Sequence, residues 1–306
     1  MKKIRNFLLA VVLAGLFLSL SGVRNGGAEP LPLPLHVPDG QWQPLCERAD
    51  SGLQAALEES LKQEALWRSL IRDQKMAVGL VDLSEPVAPR FAQVNGPTMM
   101  CAASLPKIGI LLAAYRSFEE GTLEETPRMH DDLVAMIRRS SNEAASRMVA
   151  RIGLSRIEEI LQDPRCRFYD PQEGGGIWVG GGYTKGGEWI PDPVKGLFHA
   201  ATVTQVCRFY YLAANGRIVG PQHSREILEV LSKPELHDKF VKVLEKEVPL
   251  ERLYRKSGTW KAWYSDSVLV WGENWRRYIL AALVEDQQGE RILRNLVPVV
   301  EQILKP

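Results

Sequence analysis

Little in this sequence points to a metal centre or to nucleic acid. Its 306 residues hold only four cysteines and five histidines. There is no C-x-x-C pair, and neither His130 nor His237 has a partner at metal-ligand spacing, so no metal and no cofactor are expected. The net charge is +1 and there is no basic run. That excludes the field which gathers nucleic acid or an anionic membrane surface. The triple glycines of GGGIWVGGG (174–182) lack a following Gly-Lys-Ser/Thr, so they are not a phosphate loop. They let the backbone approach a site closely or simply form turns. No internal repeat is present. What remains is 45% apolar and 25% charged, ordinary for a soluble globular chain long enough to bury a sizeable core.

The N-terminus has a distinct layout. Lys2, Lys3 and Arg5 precede an apolar run from Phe7 to Val23, and small residues follow at Gly26, Gly27 and Ala28. This reads as a secretory signal over 1–28, removed on export to the periplasm or medium. The alternative is an uncleaved anchor, although the run is near the lower limit for a span and contains Ser19 and Ser21. No cysteine follows at the cleavage site, which disfavours a lipid anchor. Residues 29–40, EPLPLPLHVPDG, read as an extended proline-rich linker. The folded domain is then 41–306. An oxidising compartment makes a disulfide among Cys46, Cys101, Cys166 and Cys207 plausible; buried free thiols are the alternative.

Periodicity gives the order of elements. Leu53, Leu57 and Leu61 line one face of a helix. Met76–Leu83 and Arg90–Asn95 read as a hairpin. Helical spacing follows over Ser104–Glu120, from Asn142 to Gly153, over Thr202–Ala214 and over Ser224–Leu231. Between them, residues 163–199 read as a long irregular loop, a type often functional. Leu253–Thr259, Ser265–Trp271 and Arg276–Glu285 read as three antiparallel strands. A final helix, Glu290–Lys305, contains Pro298, which should bend or shorten it. Two early and three late strands imply an α+β fold. In it an antiparallel five-stranded sheet is flanked by helices, with an all-helical lobe made from the middle of the chain.

Three short motifs carry chemistry. Ser104-Leu105-Pro106-Lys107 opens an apolar helix, where residues three apart share a face. Lys107 can therefore reach the Ser104 hydroxyl, and a serine needs such a base to become nucleophilic. A lysine serves only if burial or nearby cations lower its pKa. Pro106 suits a first helical turn. Alone, the motif is equally a capping serine with a surface lysine. Ser140-Ser141-Asn142 precedes a helix, where such residues commonly cap. Lys256-Ser257-Gly258-Thr259 ends a strand-like run, where a turn is the plain reading.

Together, each unique and in this order, the motifs resemble those of class A β-lactamases and penicillin-binding proteins. The resemblance covers about Gln41 to Pro306, including MIRRSSNEAASRMV and the strands and helix after Lys256-Ser257-Gly258. It implies that Ser104 is acylated and that Lys107 takes its proton, directly or through a relay. Ser140 would pass a proton to the leaving nitrogen. Asn142 would hold the substrate amide and orient Lys107. Lys256 would supply positive potential, Ser257 would bind the substrate carboxylate, and the N–H groups of Ser104 and Thr259 would form an oxyanion hole, with Gly258 in the same strand.

One feature departs from that family. Class A enzymes carry an E-x-x-L-N glutamate that activates the deacylating water, and this sequence has none. The loop acids are Asp170, Glu173, Glu188 and Asp192. Glu173 or Asp170 is the first candidate for a substitute base, against the reading that all four are solvated charges. His199 is a further candidate base, although a lone histidine is more often structural. Trp260 is a candidate pocket wall, and Trp263 a core residue. The expected activity is β-lactam hydrolysis by a monomer acting on a small-molecule β-lactam or peptidoglycan peptide. A D-alanyl-D-alanine carboxypeptidase with slow deacylation is the alternative. A non-enzymatic penicillin sensor is disfavoured, since no signalling domain is evident, and a silent binding module is disfavoured by the intact motif set.

Overall fold

The protein is described from a computed structural model covering residues 32–186 and 189–306. The leader expected over 1–28 lies outside the described residues. The described part of the proline-rich stretch lies against the domain. Leu35 is buried and its N–H donates to Ala214 O at 2.6 Å. Leu33 and Val37 also pack on the core. The packed region therefore begins before Gln41, because leucines set between prolines place apolar side chains on the surface they cross.

Helix α1 (Ser51–Lys62) starts where the Asp50 side chain accepts the Leu53 N–H, and it buries Leu53, Leu57 and Leu61. After α2 (Ala65–Arg72) come β1 (Met76–Asp82), β2 (Arg90–Val94) and the short β3 (Met100–Cys101). The helical lobe follows: α3 (Lys107–Glu119), α4 (Pro127–Arg138), α5 (Asn142–Ile152) and α6 (Leu154–Gln162). The 163–199 stretch holds only short pairings, β4 (Tyr169–Asp170), β5 (Gly175–Gly176), β6 (Trp178–Val179) and β7 (His199–Ala201). Then come α7 (Val203–Ala214), α8 (Pro221–Leu231), α9 (Lys239–Leu244), β8 (Leu253–Trp260), β9 (Trp263–Trp271), β10 (Arg277–Glu285) and α10 (Gly289–Leu304). Pro298 lies inside α10 and does not shorten it.

The main sheet is antiparallel, in the order β2-β1-β10-β9-β8. The α+β architecture expected from the sequence is the one found. Both faces of the sheet are covered. Val78, Leu80, Leu280 and Ala282 face α1 and α10, while Ala77, Val81, Ile279 and Leu283 join the core of the helical lobe. Burying each large aliphatic side chain contributes about 1.5–3 kcal/mol. Helix α7 is apolar nearly all round because it is wedged between β1, β10 and α8. It lies so close that a Cβ on Gly79 would meet Cys207 Sγ at 2.7 Å. The four cysteines are free thiols, with Cys166 and Cys207 buried and Cys46 exposed.

Helices α2, α4, α6 and α9 went unread in the sequence. α2, α6 and α9 are short, and the longer α4 is announced by Thr126, whose side chain accepts the Met129 N–H ahead of Pro127.

Candidate active site

The nucleophile candidate sits in a tight turn. Ser104 lies between β3 and α3 rather than inside the helix, which begins at Lys107. Leu105 N donates to Ala102 O at 3.0 Å and Lys107 N to Ser104 O at 3.3 Å. Ala103, just before the serine, has φ of 50°, a conformation that side chains avoid. Two ties hold it there. Ala102 N donates to His199 O at 2.8 Å, and Ser265 Oγ donates to Ala102 O at 2.7 Å. Strand β8 presses on the same turn: a Cβ on Gly258 would lie 2.3 Å from Ala102 O and 2.6 Å from Ser104 N. Only glycine permits that approach.

Lys107 is fully buried one turn along. Its Nζ donates to Ser140 O and Asn142 Oδ1, both at 2.8 Å, and reaches Ser140 Oγ at 3.4 Å. Burial drives its pKa down from the ordinary lysine value to about 7, against the weaker pull of Glu143. Roughly half of it is then neutral at pH 7, instead of about one molecule in three thousand. The second motif divides its work. Ser141 caps α5 by accepting the Ala144 N–H at 3.2 Å, as Ser at such a position commonly does. Ser140, held at φ of 60°, and Asn142 turn inward instead.

Lys256, on β8, completes the cluster. Its Nζ donates to Ser140 Oγ at 2.9 Å and to Ser257 O at 2.6 Å. Burial lowers its pKa well below the ordinary value, helped by Lys107, Arg255 and Lys239 and opposed by Asp266. Ser140 Oγ therefore bridges two lysines. Behind them Arg255 is clamped by Asp266 (2.7 Å) and Asp238 (2.5 Å), and Lys239 Nζ lies 3.2 Å from Asp238. Asp266 also accepts the Phe240 and Ser267 N–H groups, both at 3.0 Å. Breaking such a buried pair on one side costs about 3–5 kcal/mol. β8 is the sheet edge. Ser257 and Gly258 are buried on it, whereas Thr259 and Trp260 are exposed. Trp260 stacks on Trp263 at 5.1 Å, so these rings form the hairpin tip and Trp263 is only partly covered.

The loop acids fall elsewhere. Asp170 is paired with Arg167 and accepts the Gln172 N–H at 2.9 Å, and those bonds hold its carboxyl below the usual range. Asp170 and Glu173 line a cavity of about 560 Å³ with Cys46, Phe91, Gln205 and Arg208. None of Ser104, Lys107, Ser140 or Lys256 lines it. Asp192 is buried and accepts the Val194, Lys195 and Leu197 N–H groups, so it knots the loop. Glu188 lies outside the described residues. His130 lies 3.5 Å from Glu125, and His237 pairs with Glu245. Among the described residues no three His, Cys, Asp or Glu side chains are grouped to hold a metal.

Two residues beside the cluster were missed in the sequence. Ser146 Oγ accepts the N–H groups of Tyr183 (2.8 Å) and Thr184 (3.0 Å), pinning the loop to α5. Its place one turn after Asn142 was the available signal. Tyr183 lies with its ring centroid 4.4 Å from Lys107 Nζ, and only the path of the loop brings it there. His199 stacks on Tyr183 and is buried. Burial, then Lys107, lowers its pKa to about 3, so the ring is neutral.

Comparison with known proteins agrees with the fold. The β-lactamase from Sphaerobacter thermophilus DSM 20745 superposes with a TM-score of 0.59 at 15% identity, over 83% of this chain and 95% of that one. PBP-A gives 0.60 at 18% identity over 85% and 97%. The TLA-3 extended-spectrum β-lactamase gives 0.61 at 12% identity over 83% and 98%. At these identities the likeness is one of fold. No curated protein matches the chain. Among the described residues no helix is long and apolar enough to cross a membrane. Residues 124–300 match the family model described as "Beta-lactamase enzyme family". That span includes Ser140, Asn142 and Lys256 but begins after Ser104, and since it covers well over half of the sequence, the chain belongs to the β-lactamase enzyme family.

Proposed function

We propose that this chain is a serine hydrolase that opens β-lactam amides through an acyl-Ser104 intermediate. The observation that carries the reading is the buried relay Lys107–Ser140–Lys256, beside a serine held in a strained turn. In the acylation step neutral Lys107 takes the Ser104 proton as Oγ attacks the lactam carbonyl. The C–N bond then breaks, and the nitrogen receives a proton from Ser140 Oγ, which is resupplied from the lysines. The Ser104 and Thr259 N–H groups are suited to the developing oxyanion, each such donor lowering the barrier by about 3–4 kcal/mol. Lys256 and Ser257 suit the carboxylate of the substrate. Hydrolysis of the ester then returns Ser104. Of the solved relatives, a PBP-A variant is described as an acyl-enzyme complex with penicillin G.

The alternative, a D-alanyl-D-alanine carboxypeptidase that keeps β-lactams as a lasting adduct, is favoured by one observation: Asp170 and Glu173 line the other cavity. Export as a monomer to the periplasm or medium, after removal of 1–28, belongs to the same proposal.

Intact mass with benzylpenicillin, followed over time, tests both readings. Wild type should gain one penicillin mass and Ser104→Ala none. A transient adduct with continuing drug loss supports the hydrolase, and a persistent one the carboxypeptidase. Labelling that survives Ser104→Ala sinks the nucleophile assignment. The acylation rate should rise with pH through about 7, as Lys107 loses its proton. It should decline again below the ordinary lysine range, as Lys256 loses its charge.

A further inference from the structure

Lys107 has a neighbour that the motif chemistry leaves unused. Its hydrogen bonds go to Ser140 and Asn142, while a further side of the ammonium is covered by the ring of Tyr183, 4.4 Å away. His199 stacks on the same ring at 3.9 Å, with the planes 2° apart. A ring stacked that closely leaves no room for an ammonium on its own side. Lys107 and His199 therefore occupy opposite faces of Tyr183. The sandwich is held at three points. Phe198 packs on His199 at 4.1 Å, the His199 carbonyl is tied to Ala102, and Ser146 holds the Tyr183 N–H. Among the described residues the buried Tyr183 hydroxyl has no hydrogen-bond partner. Neither imidazole nitrogen completes a regular hydrogen bond, although the Gly182 backbone approaches the ring. Burying polar side chains beside a lysine costs free energy, so packing alone would be better served by apolar side chains here.

We propose that Tyr183, backed by His199, is a positioning residue for Lys107: its ring takes the face of the ammonium that water would otherwise hydrate, and so confines proton exchange to Ser104 and Ser140. Two effects of opposite sign follow. Excluding water favours the neutral amine, whereas the π face favours the cation by about 0.5–2 kcal/mol. The other charged or titratable groups acting on Lys107 are Lys256 from β8, Glu143 from α5 and His199 from β7. Helices α4, α6 and α8, which also pack on α3, bring no charge to it among the described residues.

The proposal builds on Lys107 as the proton acceptor, yet its test need not depend on turnover. The full-length protein is labelled with ¹³Cε-lysine, and the Lys107 resonance, assigned by Lys107→Arg, is titrated by NMR. Tyr183→Phe keeps the face and the dry site, so its midpoint should stay within about 0.3 of wild type. Tyr183→Ala admits water and should raise it by at least about one pH unit. The pH-rate profile of acylation should move by the same amount, with its alkaline plateau kept within about threefold. Ser146→Ala, a milder change, should shift the midpoint the same way but less. An unmoved midpoint in both Tyr183→Ala and Ser146→Ala, with only a lower rate amplitude, would reduce Tyr183 to packing and overturn the proposal. Wild type that never acylates would instead sink the functional reading, with the NMR titration still deciding the role of Tyr183.

Discussion

The floor and the roof of the cleft are built on different physical terms. The floor is Ser104, Lys107, Ser140 and Lys256, each on or next to a helix or strand of the packed core, with Lys107 and Lys256 both hydrogen-bonded to Ser140. The roof is the 163–199 loop, held by a few polar knots: Asp192 on three backbone N–H groups and Ser146 on two. The floor stores strain at Ala103 and Ser140 because two layers of regular structure can bear it. The roof adds a buried apolar anchor of Phe168, Tyr169, Ile177, Trp178 and Val179, and it holds a left-handed residue of its own at Arg167. The proposed chemistry falls to the floor, and the proposed control of water to the roof.

That contrast can be broken in three places. The largest effect is expected at Gly258→Val. Its Cβ would meet the Ser104 turn at 2.3–2.6 Å, and acylation should fall at least about a hundredfold, with a stability loss of about 1–3 kcal/mol by thermal unfolding. If acylation survives, the floor is less rigid than its contacts imply. Next, Asp192→Ala leaves three loop N–H groups without their acceptor. About 2 kcal/mol of local stability should go, seen as faster hydrogen exchange and proteolytic nicking confined to 163–199. Loss of the global fold would mean that the Asp192 knot also holds the buried Phe168 and Trp178 in the core. Smallest, Asp170→Asn and Glu173→Gln should change deacylation less than about twofold. A tenfold slowing in either would return a catalytic acid to the roof.

The floor was legible in the sequence because its logic is local. An i,i+3 pair on a helix, a capping triplet and a strand end each announce themselves within four residues, and their order links them. Strand boundaries were equally legible, since β1 and β10 are near-continuous apolar runs covered on both faces. The roof was not. Asp170 and Glu173 looked like bases because they lie in the loop that a water-activating acid would occupy. Chain path, which no short window encodes, turns them toward α7 and carries Tyr183 over Lys107. Ser104 was read one turn too deep in its helix, because apolar periodicity does not register the left-handed residue before it.

The edge position of β8 has a consequence for solubility. A sheet edge offers unpaired backbone groups to any extended chain, and proteins guard such edges against self-association. Here the edge also carries Lys256, and its hairpin ends at Lys261, a left-handed residue that turns the strand away. Most of that edge is covered here, by α8, α4 and the Ser104 turn. Arg255 to Gly258 are buried, so among the β8 residues it is the exposed Thr259 and Trp260 next to Lys261 that a neighbouring chain would meet.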